Sequence, residues 1–166
     1  IGITTVYVTH DQSEALTMSD RIAVMNQGKM LQIGTPVEIY EKPTSRFIAE
    51  FIGDSNLLAA TVLSMNEYGC EVDLGGGATV NARVPDEVQV TLGDEIGLLL
   101  RPEMVRLAPS HDGEQPRLSG KIVDEVYQGA LRRYRISANN HEIVVEVPNR
   151  PELGQLAAGT PVDLFW

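Results

Sequence analysis

Lys121-Ile122-Val123-Asp124-Glu125-Val126-Tyr127, Leu131-Arg132-Arg133-Tyr134-Arg135-Ile136 and Glu142-Ile143-Val144-Val145-Glu146-Val147 are short runs rich in β-branched and aromatic residues, with turn residues between them, Asn139-Asn140 included. Runs of this length and spacing predict strands of a small barrel or sandwich rather than of a helix-covered parallel sheet. In the last run Ile143, Val145 and Val147 alternate with Val144 and Glu146, which gives one apolar face and one mixed face. Outward from this stretch the same grammar continues, with strands predicted near 57–65, 71–74, 79–84, 96–101 and 161–166. Turn chemistry separates them at Asn66-Glu67-Tyr68-Gly69, Gly75-Gly76-Gly77 and Asp112-Gly113. The expected fold is mainly β, an OB-like small barrel.

Before Gly53-Asp54-Ser55-Asn56 the grammar is different, because strand and helix signals alternate. Ile3-Thr4-Thr5-Val6-Tyr7-Val8 reads as an interior strand of a covered, parallel sheet. Asp11, with Glu14 three residues on, resembles a capping box, and a short helix from about Gln12 to Met18 follows. Residues 20–25 and 29–33 predict a hairpin at the rim of a sheet, turning at Asn26-Gln27-Gly28. Thr35-Pro36-Val37-Glu38 supplies a hydroxyl cap, a proline at the first helical position and a glutamate at the third. A further helix carries Phe47, Ile48 and Phe51, with Thr44 as its expected cap and Gly53 closing it in the left-handed conformation. The expected division is 1–53 and 54–166.

Composition narrows the function classes. The chain has 166 residues, 43% hydrophobic and 22% charged, which suits a packed core and not a disordered segment. Lysine plus arginine number 13 against 23 acidic residues, a net charge of -10, so the summed field works against nucleic-acid binding. Cys70 is the only cysteine, which excludes an internal disulfide and any multi-cysteine metal site, and it reads as a small buried hydrophobe. No run has the length of a membrane-spanning helix, so membrane contact is expected through a partner and not by direct insertion. The chain begins at Ile1 with strand-like text close behind, and the expectation is a fragment of a longer fold.

Three motifs are structural. Gly75-Gly76-Gly77 lacks the lysine and hydroxyl of a phosphate-binding loop and lies between strands, so it reads as a hairpin turn. Leu118-Ser119-Gly120-Lys121 leads into a strand with no glycine-rich run before it. Arg132, Arg133 and Arg135 are the one dense basic cluster, and strand alternation sends Arg133 and Arg135 to one face and Arg132 to the other, as on a solvated edge. His111 and His141 sit in polar turns without an evident partner. His10 differs, because it stands at the carboxyl end of a strand-like run directly before a helix start, where α/β proteins bind ligands.

The residues around His10 carry a resemblance. Thr5-Val6-Tyr7-Val8-Thr9-His10-Asp11-Gln12-Ser13-Glu14-Ala15-Leu16 resembles the switch-histidine segment of ATP-binding-cassette (ABC) ATPases. Asp20-Arg21-Ile22-Ala23-Val24-Met25-Asn26-Gln27-Gly28-Lys29 resembles the hairpin that follows it. Gly34-Thr35-Pro36-Val37-Glu38-Ile39-Tyr40-Glu41-Lys42-Pro43 and Phe47-Ile48-Ala49-Glu50-Phe51-Ile52-Gly53 are similar to the closing helices of the importer branch that handles polyamines, iron and sugars. Leu100-Arg101-Pro102-Glu103 is like an element of the C-terminal TOBE domain of those ATPases, an OB-like barrel.

The resemblance implies that 1–53 is the C-terminal tail of a nucleotide-binding domain and 54–166 a TOBE accessory domain. It implies that His10 contacts the γ-phosphate of ATP in the intact protein and that Asp11 caps the helix supporting it. It further implies ATP and magnesium as cofactors, membrane permease subunits and a second ATPase subunit as partners, and a cytoplasmic position at the inner face of the membrane. Polyamine or iron-type solutes are the preferred substrates, on the likeness of Phe51-Ile52-Gly53-Asp54-Ser55-Asn56 to that branch. The phosphate-binding loop, signature motif and Walker B acid of the family are not in this sequence. The chain alone is therefore expected to hold no cofactor or metal and to hydrolyse no ATP. Residues 3–8 are expected to expose apolar surface or to find a substitute partner strand. Two other readings are a stand-alone barrel that binds small oxyanions and a dimerisation module without a ligand.

Overall fold

A computed structural model describes residues 2–67, 69–85, 88–109, 116–149 and 156–166. It divides into two compact units, Ile1–Gly53 and Asp54–Trp166. His111, Tyr68 and the Asp112-Gly113 turn lie outside the described residues.

In the first unit, α1 (Gln12–Met18) is followed by the antiparallel hairpin β1 (Ile22–Asn26) and β2 (Lys29–Gly34), then α2 (Pro36–Glu41) and α3 (Arg46–Phe51). The hairpin turns on Gln27 and Gly28, both at positive φ (48° and 74°), as a tight turn matched to strand twist requires. It pairs with no other strand among the described residues, so it is a two-stranded sheet of its own and not a sheet rim. The capping box of α2 is complete: the Glu38 N–H donates to the Thr35 hydroxyl and the Thr35 N–H donates to the Glu38 carboxylate. The cap of α3 is Ser45, not Thr44, whose N–H and hydroxyl instead donate to Gln32 Oε1. Gly53 follows that helix at φ +70°, in the left-handed region. Ile22, Val24, Ile39, Ile48 and Ile52 form a small core.

Residues 3–8 form no strand. Ile3, Val6 and Val8 are 76%, 88% and 90% exposed. An interior strand exists only when neighbours on both sides accept and donate its backbone hydrogen bonds, and no described residues offer them here.

The second unit holds β3 (Asn56–Asn66), β4 (Gly69–Asp73), β5 (Thr79–Ala82), β6 (Glu95–Leu100), a 3-10 turn at Pro102–Met104, β7 (Arg106–Pro109), β8 (Leu118–Tyr127), β9 (Leu131–Ala138), β10 (His141–Pro148) and β11 (Pro161–Phe165). They make a four-stranded sheet ordered β5-β4-β3-β6 and a five-stranded sheet ordered β10-β9-β8-β11-β7. Within the larger sheet the two edge strands, β10 and β7, approach one another, and β10 also meets β3. One core runs through both sheets, from Leu58, Val62 and Val72 to Tyr134, Ile143 and Leu164. This is the expected mainly β, OB-like architecture. Burial of each such aliphatic side chain is worth about 1.5–3 kcal/mol before entropy is counted. Cys70 lies wholly inside this core, where desolvation raises its thiol pKa.

Two bulges set the register among the described strands of the second unit. In β8 the pairing with β9 shifts between Ile122 and Asp124, leaving Val123 unopposed. Strict alternation would turn Asp124 inward beside Ile122. The extra residue instead places Asp124 opposite Arg135 on the outer face, where the two pair, and Glu125 opposite buried Tyr134. A second shift in β3 falls between Val62 and Ser64. Gly120 in β8 is required by space, since a Cβ there would stand 2.6 Å from the Ser137 carbonyl oxygen.

Strand β9 is interior, so the arginine cluster is not on an edge. Arg133 and Arg135 share the outer face, and each pairs with two carboxylates: Arg133 with Asp54 and Glu146, Arg135 with Asp124 and Glu142. Arg132, on the other face, donates to Glu125 at 2.6 Å and to Asn149 at 2.8 Å. His141 also has a partner, the Leu74 carbonyl 2.9 Å from Nε2. Strand β7 is absent from the sequence reading, because four residues after a proline turn carry too little alternation to register. Among the described residues, no helix is long and apolar enough to cross a membrane.

Candidate functional site

Thr9, His10 and Asp11 form a braced turn at the start of α1. The Asp11 N–H donates to the Thr9 hydroxyl at 2.9 Å, and the Thr9 hydroxyl donates to the Glu14 carboxylate at 2.9 Å. The Asp11 carboxylate accepts from the Glu14 N–H at 3.0 Å, the expected helix cap, worth about 1 kcal/mol. Only half of the expected capping box forms. Glu14 does not reach back to the Asp11 N–H, since its carboxylate is occupied by Thr9 and by the Tyr7 hydroxyl at 3.0 Å. That hydrogen bond, followed by the negative charge of Glu14, holds the Tyr7 phenol above its ordinary pKa.

The backbone on both sides of His10 is therefore fixed by side chains, while its imidazole is exposed and bonds to no described residue. An exposed imidazole on a fixed backbone can donate a hydrogen bond to an oxygen outside the chain. Gln12 adds a brace the sequence did not reveal. Its Oε1 accepts from the Gly53 N–H at 2.8 Å, 41 positions away. No short-range pattern signals a contact of that span.

The chain's fit to ATP is confined to that one donor. His10 suits a phosphate oxygen, but the sequence offers no glycine-rich loop with lysine and hydroxyl to cradle the others. Among the described residues, no group of three or more His, Cys, Asp or Glu side chains gathers as a metal site. In the second unit an open cleft of about 240 Å³ is lined by Glu71, Thr79, Val80, Asn81, Pro116 and Arg117. That lining sets a carboxylate, Glu71, and a guanidinium, Arg117, on one cleft.

Comparison with known proteins agrees with the barrel. Residues 98–166 match the TOBE domain family. The spermidine/putrescine import ATP-binding protein PotA of Thermobifida fusca is 43% identical across 100% of this chain and 43% of its own length. The PotA proteins of Rubrobacter xylanophilus and Frankia alni are 36% and 41% identical, again across 100% of this chain, with 44% and 38% of their own lengths covered. The chain thus spans about two-fifths of the length of these relatives. A solved structure of the cytoplasmic molybdate-binding protein ModG, in a form with molybdate bound, superposes with a TM-score of 0.58 at 22% identity, over 74% of this chain and 91% of that one. At that identity the likeness is one of fold. These relatives are similar over the whole chain, the residues before the barrel included. The chain belongs to the family of ATP-binding subunits of ABC importers, of which it corresponds to the C-terminal part, with a TOBE domain at 98–166.

Proposed function

We propose that this chain supplies the switch histidine and the accessory barrel of an importer subunit that couples ATP hydrolysis to polyamine uptake. The observation that carries the proposal is the turn at His10, an exposed imidazole on a backbone fixed by Thr9 and Asp11. In the complete subunit bound Mg-ATP supplies the phosphoryl group. His10 donates to its γ-phosphate oxygen, as a positioning and charge-stabilising group and not as the general base. Asp11 holds the helix start that fixes the His10 backbone. The phosphate cradle and the magnesium ligands come from the part of the subunit that this chain does not contain, so the chain alone is inactive.

The same reading makes residues 1–53 the tail of a nucleotide-binding domain and extends the TOBE domain back from the matched 98–166 to Asp54. It places the subunit at the cytoplasmic face of the membrane, paired with a second copy and with permease subunits. Polyamine is preferred to iron because the relatives that match over the whole chain are named for spermidine and putrescine import.

The test is ATP hydrolysis by the full-length subunit with its permease. The His10→Ala change is expected to lower the turnover rate by about a hundredfold or more, while nucleotide affinity changes far less. Unaltered hydrolysis in that variant overturns the role of His10. Spermidine uptake that persists with the variant at the parental rate overturns the coupling.

A further inference from the structure

Gln12 is the first residue of α1, and the Gly53 N–H it holds belongs to the last residue of the first unit. The place of that amide is also set by shape. Gly53 is at φ +70°, and a Cβ there would come within 2.8 Å of Tyr40 Cε2. The next residue, Asp54, is secured within the second unit at both of its acceptors. Arg101, itself buried, donates from Nη1 to the Asp54 carbonyl at 3.0 Å, and Arg133 pairs with the Asp54 carboxylate. Asn56 follows with hydrogen bonds in both directions to the backbone of Val144, at 2.8 and 2.7 Å. Between the last anchor of the first unit and the first anchor of the second lies one peptide bond. Because that bond is planar, only the torsions flanking it are soft.

We propose that Gln12 is a positioning residue that carries the state of the His10 segment to the start of the barrel through the Gly53 amide. This rests on the reading of His10 given above. If α1 shifts when His10 engages a phosphate, Gln12 shifts with it, and either its hydrogen bond to Gly53 breaks or Gly53 follows. Where Gly53 follows, Asp54 pulls on Arg101 and Arg133. The coupling available is bounded by the worth of the bond, roughly three- to tenfold in an equilibrium, and it acts equally from barrel to nucleotide site.

The experiment is hydrogen–deuterium exchange on the full-length subunit, with and without magnesium and a non-hydrolysable ATP analogue. It compares the parent with Gln12→Leu, Gln12→Asn and Gln12→Glu. Leucine removes the acceptor, asparagine keeps the amide but shortens the reach, and glutamate keeps an acceptor oxygen at the same reach. In the parent and in Gln12→Glu, nucleotide is expected to alter exchange at 54–58 and 100–105. In Gln12→Leu and Gln12→Asn the Gly53 amide is expected to exchange roughly three- to tenfold faster. In those two variants nucleotide still protects the His10 segment but leaves 54–58 and 100–105 unchanged. A barrel response in both variants equal to that of the parent overturns the proposal. So does a parent in which the His10 segment is protected and the barrel is silent. No protection of the His10 segment in the parent refutes the reading of His10 instead.

Discussion

Asn56 lies at the start of β3, among the most apolar positions of the second unit, and is 4% exposed. It is tolerated there because its amide serves both backbone polar groups of Val144, which sits on an edge strand with no strand neighbour on that side among the described residues. Removing the side chain leaves a buried donor and a buried acceptor without partners. Asn56→Ala is expected to destabilise the second unit by about 2–4 kcal/mol, and Asn56→Asp, which keeps the acceptor for the Val144 N–H but sets a buried carboxylate against the Val144 carbonyl, by at least as much. Urea unfolding read at Trp166 measures both, and an alanine variant within about 0.5 kcal/mol of the parent contradicts the account. Legibility at this scale follows sequence distance. The caps Asp11 and Thr35 were readable because donor and acceptor are three positions apart. The partners of Asn56 lie 88 positions away, and the partner of Gln12 lies 41 away, where no local pattern reaches.

The capping box of α2 is where a segment depends on one ionised group. The Thr35 N–H first, and then the Thr35 hydroxyl, hold the Glu38 carboxyl below its ordinary pKa. A lowered pKa in the folded state means that the stabilising effect is present above the ordinary glutamate range and is lost as pH falls through the folded value. Titration of Glu38 by NMR is expected to give a midpoint below the ordinary glutamate value, with the Thr35 amide resonance moving at the same pH. A midpoint at or above that value contradicts the cap. Boundaries of α1 and most strands were legible because caps and turn residues mark them locally. Residues 3–8 misled because β-branched composition records a strand's preference but not whether another strand is there to receive its hydrogen bonds. The site was legible to the extent that it is local: His10 and Asp11 could be read, whereas the double duty of Glu14 could not, since Thr9 and Tyr7 compete for the carboxylate that the capping pattern assigns elsewhere.

Across the whole molecule the two units are unequally supported. The first has a core cluster of five aliphatic residues, while the second has a core that runs through two sheets. All the described α-helices lie in the first unit, and the only tryptophan, Trp166, packs on the core of the second. Chemical unfolding of this chain is therefore expected to give two midpoints, with the helical circular dichroism signal lost at lower urea than the tryptophan signal. Coincident curves contradict that separation. Family was legible at this scale, through motifs quoted above. The bulge at Val123 has a further consequence for how relatives of the barrel are recognised. The pairing with β9 is in step on either side of it, but the two halves are offset by one residue, so no single parity over 118–127 describes the inward face of the strand. A relative without the extra residue keeps that face on one parity, so the two strands align only with a one-residue gap at 123.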